Sequence, residues 1–171
     1  LPIMLSVAKE FPNKHFVVAQ APGIDSNWFN SLLPDLPNVH VVAANTYAIL
    51  QHSKAALVTS GTATLETALL NVPEIVCYKG NPITLALAKR FVKIKFIALV
   101  NLIMDKEVVK ELIQEDLTTK QLCIELKKLL EDPAKQAAIK ADYAALKQAL
   151  TTGHKATEVA AGIIQDTLNK N

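Results

Sequence analysis

Glycine is scarce in this chain, five in 171 residues, and no three of them take the G-x-G-x-x-G spacing that cradles a dinucleotide pyrophosphate. No G-x-x-x-x-G-K-[ST] loop is present either, which argues against a triphosphate-hydrolysing site. Cysteine is rarer still, with two residues. Cys77 sits in an apolar stretch and Cys123 in a helical pattern, neither beside a basic residue, so reduced thiols without nucleophilic character are the default. The four histidines, at positions 15, 40, 52 and 154, fall in no cluster of ligand spacing, so no metal is expected. A G-x-S-x-G elbow is lacking and Ser60 has no base nearby in sequence, which disfavours covalent catalysis. Charge of one sign is also missing: 18 basic against 16 acidic residues leaves +2, no global demand for nucleic acid. The longest strongly apolar run, residues 96–104, is interrupted by Asn101 and too short to cross a bilayer. Leu1-Pro2-Ile3-Met4 carries no basic region or cleavage site, so no secretory signal is expected in what is given.

What remains is a composition half apolar and 20% charged, enough for one globular domain with a substantial core. Leu1, Met4, Leu5, Ala8 and Phe11 recur at helical spacing, with Pro2 suited to a first turn, and the strand that should precede this helix is not there. Strands are predicted over 16–20, 39–43, 56–59, 74–79 and 96–100. Between them, helices are predicted from an Asp25 cap to residue 33, over 46–52, from the central turn towards Val72, and from Asn81 or Pro82 to about Val92. This alternation predicts an α/β fold, a Rossmann-like parallel sheet sandwiched by helices. From Asn101 on, helix alone is predicted: one behind the capping box Thr118-Thr119-Lys120-Gln121, one over 134–150, and one over 156–168. His40, alternating with apolar neighbours, reads as structural.

The chain is organised around Thr59-Ser60-Gly61-Thr62-Ala63-Thr64-Leu65-Glu66, where a short apolar strand turns directly into a helix. Such a turn aims backbone N–H groups and the positive end of a helix dipole at one spot, which suits an anion. Glu66, one turn on and on the face of Thr62, would accept hydrogen bonds from ribose hydroxyls, while Leu65, Ala68, Leu69 and Val72 would face the core. The same residues also serve as an ordinary strand-to-helix turn. Ligands of open parallel sheets bind at the carboxyl ends of strands, where Tyr78-Lys79-Gly80-Asn81 and Asn101 with Glu107 also fall. Asn101 at an apolar strand end either meets a ligand or satisfies a loop.

The run Ser60 to Ala68, then Val72-Pro73, Tyr78-Lys79, Asn81-Pro82-Ile83-Thr84, Leu87-Ala88-Lys89-Arg90, Asn101-Leu102-Ile103, Glu107-Val108-Val109 and Glu111-Leu112 strongly resembles the lipid-A-disaccharide synthase family. The resemblance implies one half of a GT-B glycosyltransferase, the carboxyl-terminal UDP-sugar-binding domain over 1–171, with residues 146–171 a helical tail packing on the missing amino-terminal domain. It implies an inverting hexosyl transfer joining UDP-2,3-diacylglucosamine to 2,3-diacylglucosamine 1-phosphate, with the general base on the missing domain and no catalytic residue in this chain. By the same resemblance Ser60, Gly61, Thr62 and Thr64 hold the diphosphate, Glu66 the ribose, and Tyr78, Asn101 and Glu107 line the nucleotide-sugar cleft, without metal or cofactor. Asp105 and Lys106 stand where the family usually has glycine and arginine, and Lys110 where it often has proline; Asp105 would add negative charge near a diphosphate. Lys89, Arg90 and Lys93, on a basic amphipathic stretch, are candidates for contact with an anionic membrane surface. A cytoplasmic protein peripheral to the inner membrane follows from these implied substrates, and a homodimer is compatible with the resemblance. The rival readings are a UDP-sugar 2-epimerase, which also uses a Ser-Gly turn and a downstream Glu, and a nucleotide-binding module without catalysis.

Overall fold

Residues 1–59, 61–80, 95–151, 161, 164, 165 and 167 are described by a computed structural model. The chain opens with helix α1 (Pro2–Ser6), Pro2 in its first turn, continued by a 3₁₀ turn at Val7–Lys9. Strand β1 (Phe16–Gln20), helix α2 (Ser26–Ser31), strand β2 (Val39–Ala43) and helix α3 (Thr46–His52) follow. Asp25 caps α2 by accepting from the Trp28 amide at 2.8 Å, as its position before an apolar turn predicts. β1 and β2 pair in parallel, Phe16 opposite Val39 and Gln20 opposite Ala43.

The second half carries strand β3 (Ala56–Val58), helix α4 (Thr62–Leu69), strand β4 (Glu74–Tyr78), helix α5 (Leu99–Met104) and strand β5 (Lys110–Ile113). A 3₁₀ turn at Gln114–Asp116 leads to helices α6 (Thr119–Glu131) and α7 (Pro133–Leu150). Their caps are Thr118, accepting from the Gln121 amide, and Asp132, accepting from the Ala134 and Lys135 amides. β3, β4 and β5 form a second parallel sheet in that order. The expected α/β class with helix-covered parallel strands is therefore observed, but in two ladders, β1-β2 and β3-β4-β5.

Two expectations fail in this half. Residues 96–100 are not a strand: the chain touches the sheet only at Ala98, bridged to Gly61, and turns into α5. A short apolar run cannot by itself tell a strand from a buried helix segment. Nor is the chain helical throughout after Asn101, because Lys110–Ile113 completes the sheet. Its mixed K-E-L-I sequence hides the signal, since an edge strand buries little of its polar face. The predicted helices over 81–92 and 156–168 lie largely outside the described residues, as do Lys89, Arg90 and Lys93.

The core sits under β4. Ile75, Val76 and Cys77 pack with Leu112 of β5, Leu122, Leu126 and Leu129 of α6, and Ile139, Tyr143 and Leu146 of α7. Leu146 thus belongs to this chain's own core. Val7, fully buried, ties the opening helical segment to the same cluster.

Candidate nucleotide site at the carboxyl edge of the sheet

β3 ends at Val58, and three residues later Gly61 takes φ 98°, ψ −158°, a conformation that L side chains rarely adopt. No atom lies within 4 Å of where its Cβ would stand, so backbone conformation, not crowding, selects glycine. Gly61 is also the N-cap of α4, and no described side chain caps this helix. Gly61, Thr62 and Ala63 are exposed. The helix therefore offers its positive end to solvent at the carboxyl edge of β3. Ser60 lies outside the described residues.

Two details of α4 differ from expectation. Thr64 is fully buried, and its hydroxyl donates to the Gly61 carbonyl at 2.8 Å, so it closes the turn and is not free to hold a diphosphate. Its amide donates to the same carbonyl at 3.2 Å. Leu69 is exposed, whereas Ala68 and Val72 are buried and Leu65 packs against the core as expected; Thr64 and Thr67 join them there because their hydroxyls hide in backbone bonds, such as Thr67 to the Ala63 carbonyl at 2.7 Å. Glu66 is half-buried and no described residue bonds to its carboxylate.

At the ends of the neighbouring strands, Tyr78 is half-buried and folds over Gly80, where a Cβ would stand 2.8 Å from the Tyr78 hydroxyl. Gln114, just past β5, closes this edge: its Oε1 accepts from the Gly80 amide at 3.2 Å and its Nε2 donates to the Gly80 carbonyl at 3.0 Å. A side-chain amide thus extends the β4-β5 ladder by one pair of bonds beyond Ile113. Gln114 is not legible in the sequence, because the strand that it follows, Lys110–Ile113, is itself not predicted.

Asn101 does not line a cleft. It is fully buried in α5, its Nδ2 donating to the Val109 carbonyl and to Glu111 Oε1, both at 2.8 Å. Its Oδ1 accepts from the Val108 amide at 2.8 Å and the Val109 amide at 3.0 Å. An amide with every donor and acceptor spent has nothing to offer a ligand. Glu111, in turn, accepts from the Ile97 and Ala98 amides at 2.9 and 3.0 Å and so fixes the segment that bridges to Gly61. Asn101 and Glu111 are supports for the site, one step removed from it.

Glu107 is exposed and pairs with Lys110 at 3.2 Å, on the loop that enters β5 at its amino end, away from the Gly61 turn. Asp105 lies on that loop too. It caps α5 at φ 47°, ψ 31°, the left-handed position that favours glycine, and pairs with Lys95 at 2.9 Å. Its charge is therefore met by a lysine. Lys106 pairs with Asp142 of α7.

The remaining reactive groups stand elsewhere. Cys77 and Cys123 are free thiols, and burial pushes the Cys77 thiol up to about 12. His40 is exposed, its Nε2 3.1 Å from Nδ1 of His15 with the rings stacked. Glu74, at the start of β4, is fully buried with both carboxyl oxygens unpartnered, and desolvation raises its pKa to about 9. Among the described residues no three His, Cys, Asp or Glu side chains group in a way that could hold a metal ion, and no helix is long and apolar enough to cross a membrane.

The family model described as lipid-A-disaccharide synthetase matches residues 3–164. The chain belongs to the lipid-A-disaccharide synthase family. Within that family it is 32% identical to the synthase of Geobacter sulfurreducens over 99% of this chain and 45% of the relative. It is 38% identical to that of Psychromonas ingrahamii over 72% of this chain and 33% of the relative. The chain thus spans less than half the length of these relatives. Among solved structures, the calicheamicin glycosyltransferase CalG4 superposes with a TM-score of 0.61 at 18% identity, over 94% of this chain and 38% of that one. The glycosyltransferase VinC, solved in complex with dTDP, superposes with a TM-score of 0.53 at 20% identity, over 85% of this chain and 33% of that one. At such identities the likeness shows the fold, that of GT-B glycosyltransferases. The family membership does not favour the epimerase reading.

Proposed function

We propose that this chain is the carboxyl-terminal, nucleotide-sugar-binding half of a lipid-A-disaccharide synthase. The whole enzyme would join UDP-2,3-diacylglucosamine to 2,3-diacylglucosamine 1-phosphate and release UDP. Beyond family membership, one observation carries the reading: Gly61, held at positive φ, opens an exposed helix N-terminus that no described side chain caps, with the carboxylate of Glu66, bonded to no described residue, one turn away. Backbone donors and the helix dipole there would stabilise the diphosphate as it leaves, and Glu66 would accept from the ribose hydroxyls. Ser60 and Thr62 are the hydroxyl candidates beside the diphosphate. The reaction is an inverting displacement at the anomeric carbon by an acceptor hydroxyl, deprotonated by a base on the amino-terminal half. Peripheral attachment at the cytoplasmic face of the inner membrane follows from the acylated substrates, with Lys89, Arg90 and Lys93 contributing.

Isothermal titration tests this directly. UDP should bind in preference to ADP, and Glu66→Ala should weaken UDP binding by roughly 1.5–3 kcal/mol through loss of two charge-assisted hydrogen bonds. Equal affinity of parent and variant would remove Glu66 from the site, and indifference to the base would remove the UDP assignment.

A further inference from the structure

The β1-β2 ladder brings two histidines together. Val17 stands opposite His40 in the register, and His15 lies two residues before Val17, so the two imidazoles meet as diagonal neighbours on one face of the ladder. Both are exposed. Nδ1 of His15 is 3.1 Å from Nε2 of His40, with ring centroids 5.3 Å apart and planes inclined by 30°. Their backbones are pinned by one buried residue, Asn38, whose Nδ2 donates to the Lys14 carbonyl at 3.0 Å, just before His15. The Asn38 carbonyl accepts from the Phe16 amide at 2.8 Å, just after His15. His40 follows Asn38 by two residues, so a buried amide and the ladder hold the two rings at this separation. Rigid elements of this kind position a site more closely than loops do.

We propose that His15 Nδ1 and His40 Nε2 form a chelating site for one divalent transition-metal ion of the class that prefers imidazole, Cu²⁺, Ni²⁺ or Zn²⁺, and that the ion staples β1 to β2. The spacing fits. Metal–nitrogen bonds of about 2.0–2.1 Å place two ligand nitrogens about 2.9 Å apart at a right angle and about 3.3 Å apart at the tetrahedral angle. The observed separation lies between these limits. In the hydrogen bond one ring donates to the other; chelation needs a lone pair from both atoms, so the bridging hydrogen moves to its own ring's other nitrogen, and two neutral imidazoles release no net proton. Besides His40, neither F-V-V-A-Q nor V-H-V-V-A carries an ionisable residue, so no cation on either strand opposes the ion. The site uses two histidines alone, with water in the remaining coordination positions, which makes the ion exchangeable. Ca²⁺ and Mg²⁺, which take oxygen ligands, do not match this donor set.

The test is calorimetric titration of the 171-residue chain with zinc chloride, joined to NMR with trace copper chloride. One Zn²⁺ should bind at this site, and His15→Ala and His40→Ala should each weaken it by about tenfold or more with native circular dichroism retained, since both rings are exposed. His52→Ala and His154→Ala should leave that affinity within about twofold. Substoichiometric Cu²⁺ should broaden the amide signals of His15, Val17 and His40 before that of His52. With Zn²⁺ at about a hundred times its dissociation constant, the unfolded fraction should fall about a hundredfold, because the unfolded chain does not hold the two rings together. Three results would overturn the proposal: no zinc binding by the folded parent, parental affinity in either the His15 or the His40 variant, or an equal loss in the His52 or His154 variant, which would mean that zinc samples any histidine of the chain.

Discussion

The Gly61 turn and the Asn101 clasp carry polar residues of the same kind, one bond of sheet pairing apart, yet they do opposite work. At the turn, neither α4's N-terminus nor Glu66 has a described side-chain partner. At the clasp, Asn101 makes four hydrogen bonds and Glu111 three, all within the chain. A buried amide that is saturated fixes backbone; a ligand site needs groups left over. The clasp nevertheless serves the turn, because Glu111 holds Ala98, and Ala98 is bridged to Gly61.

The strongest way to break this comparison is Asn101→Ala. It strands the Val108 and Val109 amides and one side of Glu111 in the interior, which should cost about 3–5 kcal/mol in urea unfolding. UDP affinity, measured where the variant is still folded, should stay within about twofold of the parent. A selective loss of UDP binding at full stability would return Asn101 to the ligand.

Glu74 sharpens the comparison from the other side, being buried like Asn101 and unpartnered like Glu66. Its pKa rises from 4.5 to about 9 on folding, because desolvation disfavours the charge. Stability from this group is complete below pH 4.5 and is lost progressively as pH climbs towards 9, amounting to about 3 kcal/mol by pH 7. Glu74→Gln should remove that slope and raise the neutral-pH melting temperature. An unchanged pH profile between 5 and 9 would show that the carboxyl finds a partner.

Gly61→Ala probes the turn itself. With open space around the missing Cβ, only the positive φ opposes alanine, so a destabilisation of about 1–2 kcal/mol is expected, accompanied by weaker UDP binding as the turn relaxes. The smallest effect belongs to Asp105→Gly. Relief of the left-handed cap should outweigh loss of the exposed pair with Lys95 by about 0.5 kcal/mol, with UDP affinity unmoved. Tighter UDP binding in that variant would place Asp105 near the diphosphate after all.

Much of the backbone is decided locally along the chain. Period and capping residues are local, so β1, β2 and α3 form at the residues predicted, and Asp25 and Thr118 cap as their positions require. The Gly61 turn was legible for the same reason, since a strand, a glycine and a helix are adjacent in the chain. Whether a polar side chain has anything left to give is not local. Asn101 and Thr64 look like ligand groups until tertiary structure brings Val109 and Glu111 to one and hides the other under its own turn. Lys110–Ile113 becomes a strand only because β4 offers it an edge, and the residues 96–100, apolar enough for a strand, are drawn into a helix start by a carboxylate on that strand. Pattern along the chain fixes which backbone conformations are cheap; only packing decides which hydrogen-bonding groups remain unspent, and the site is made of those.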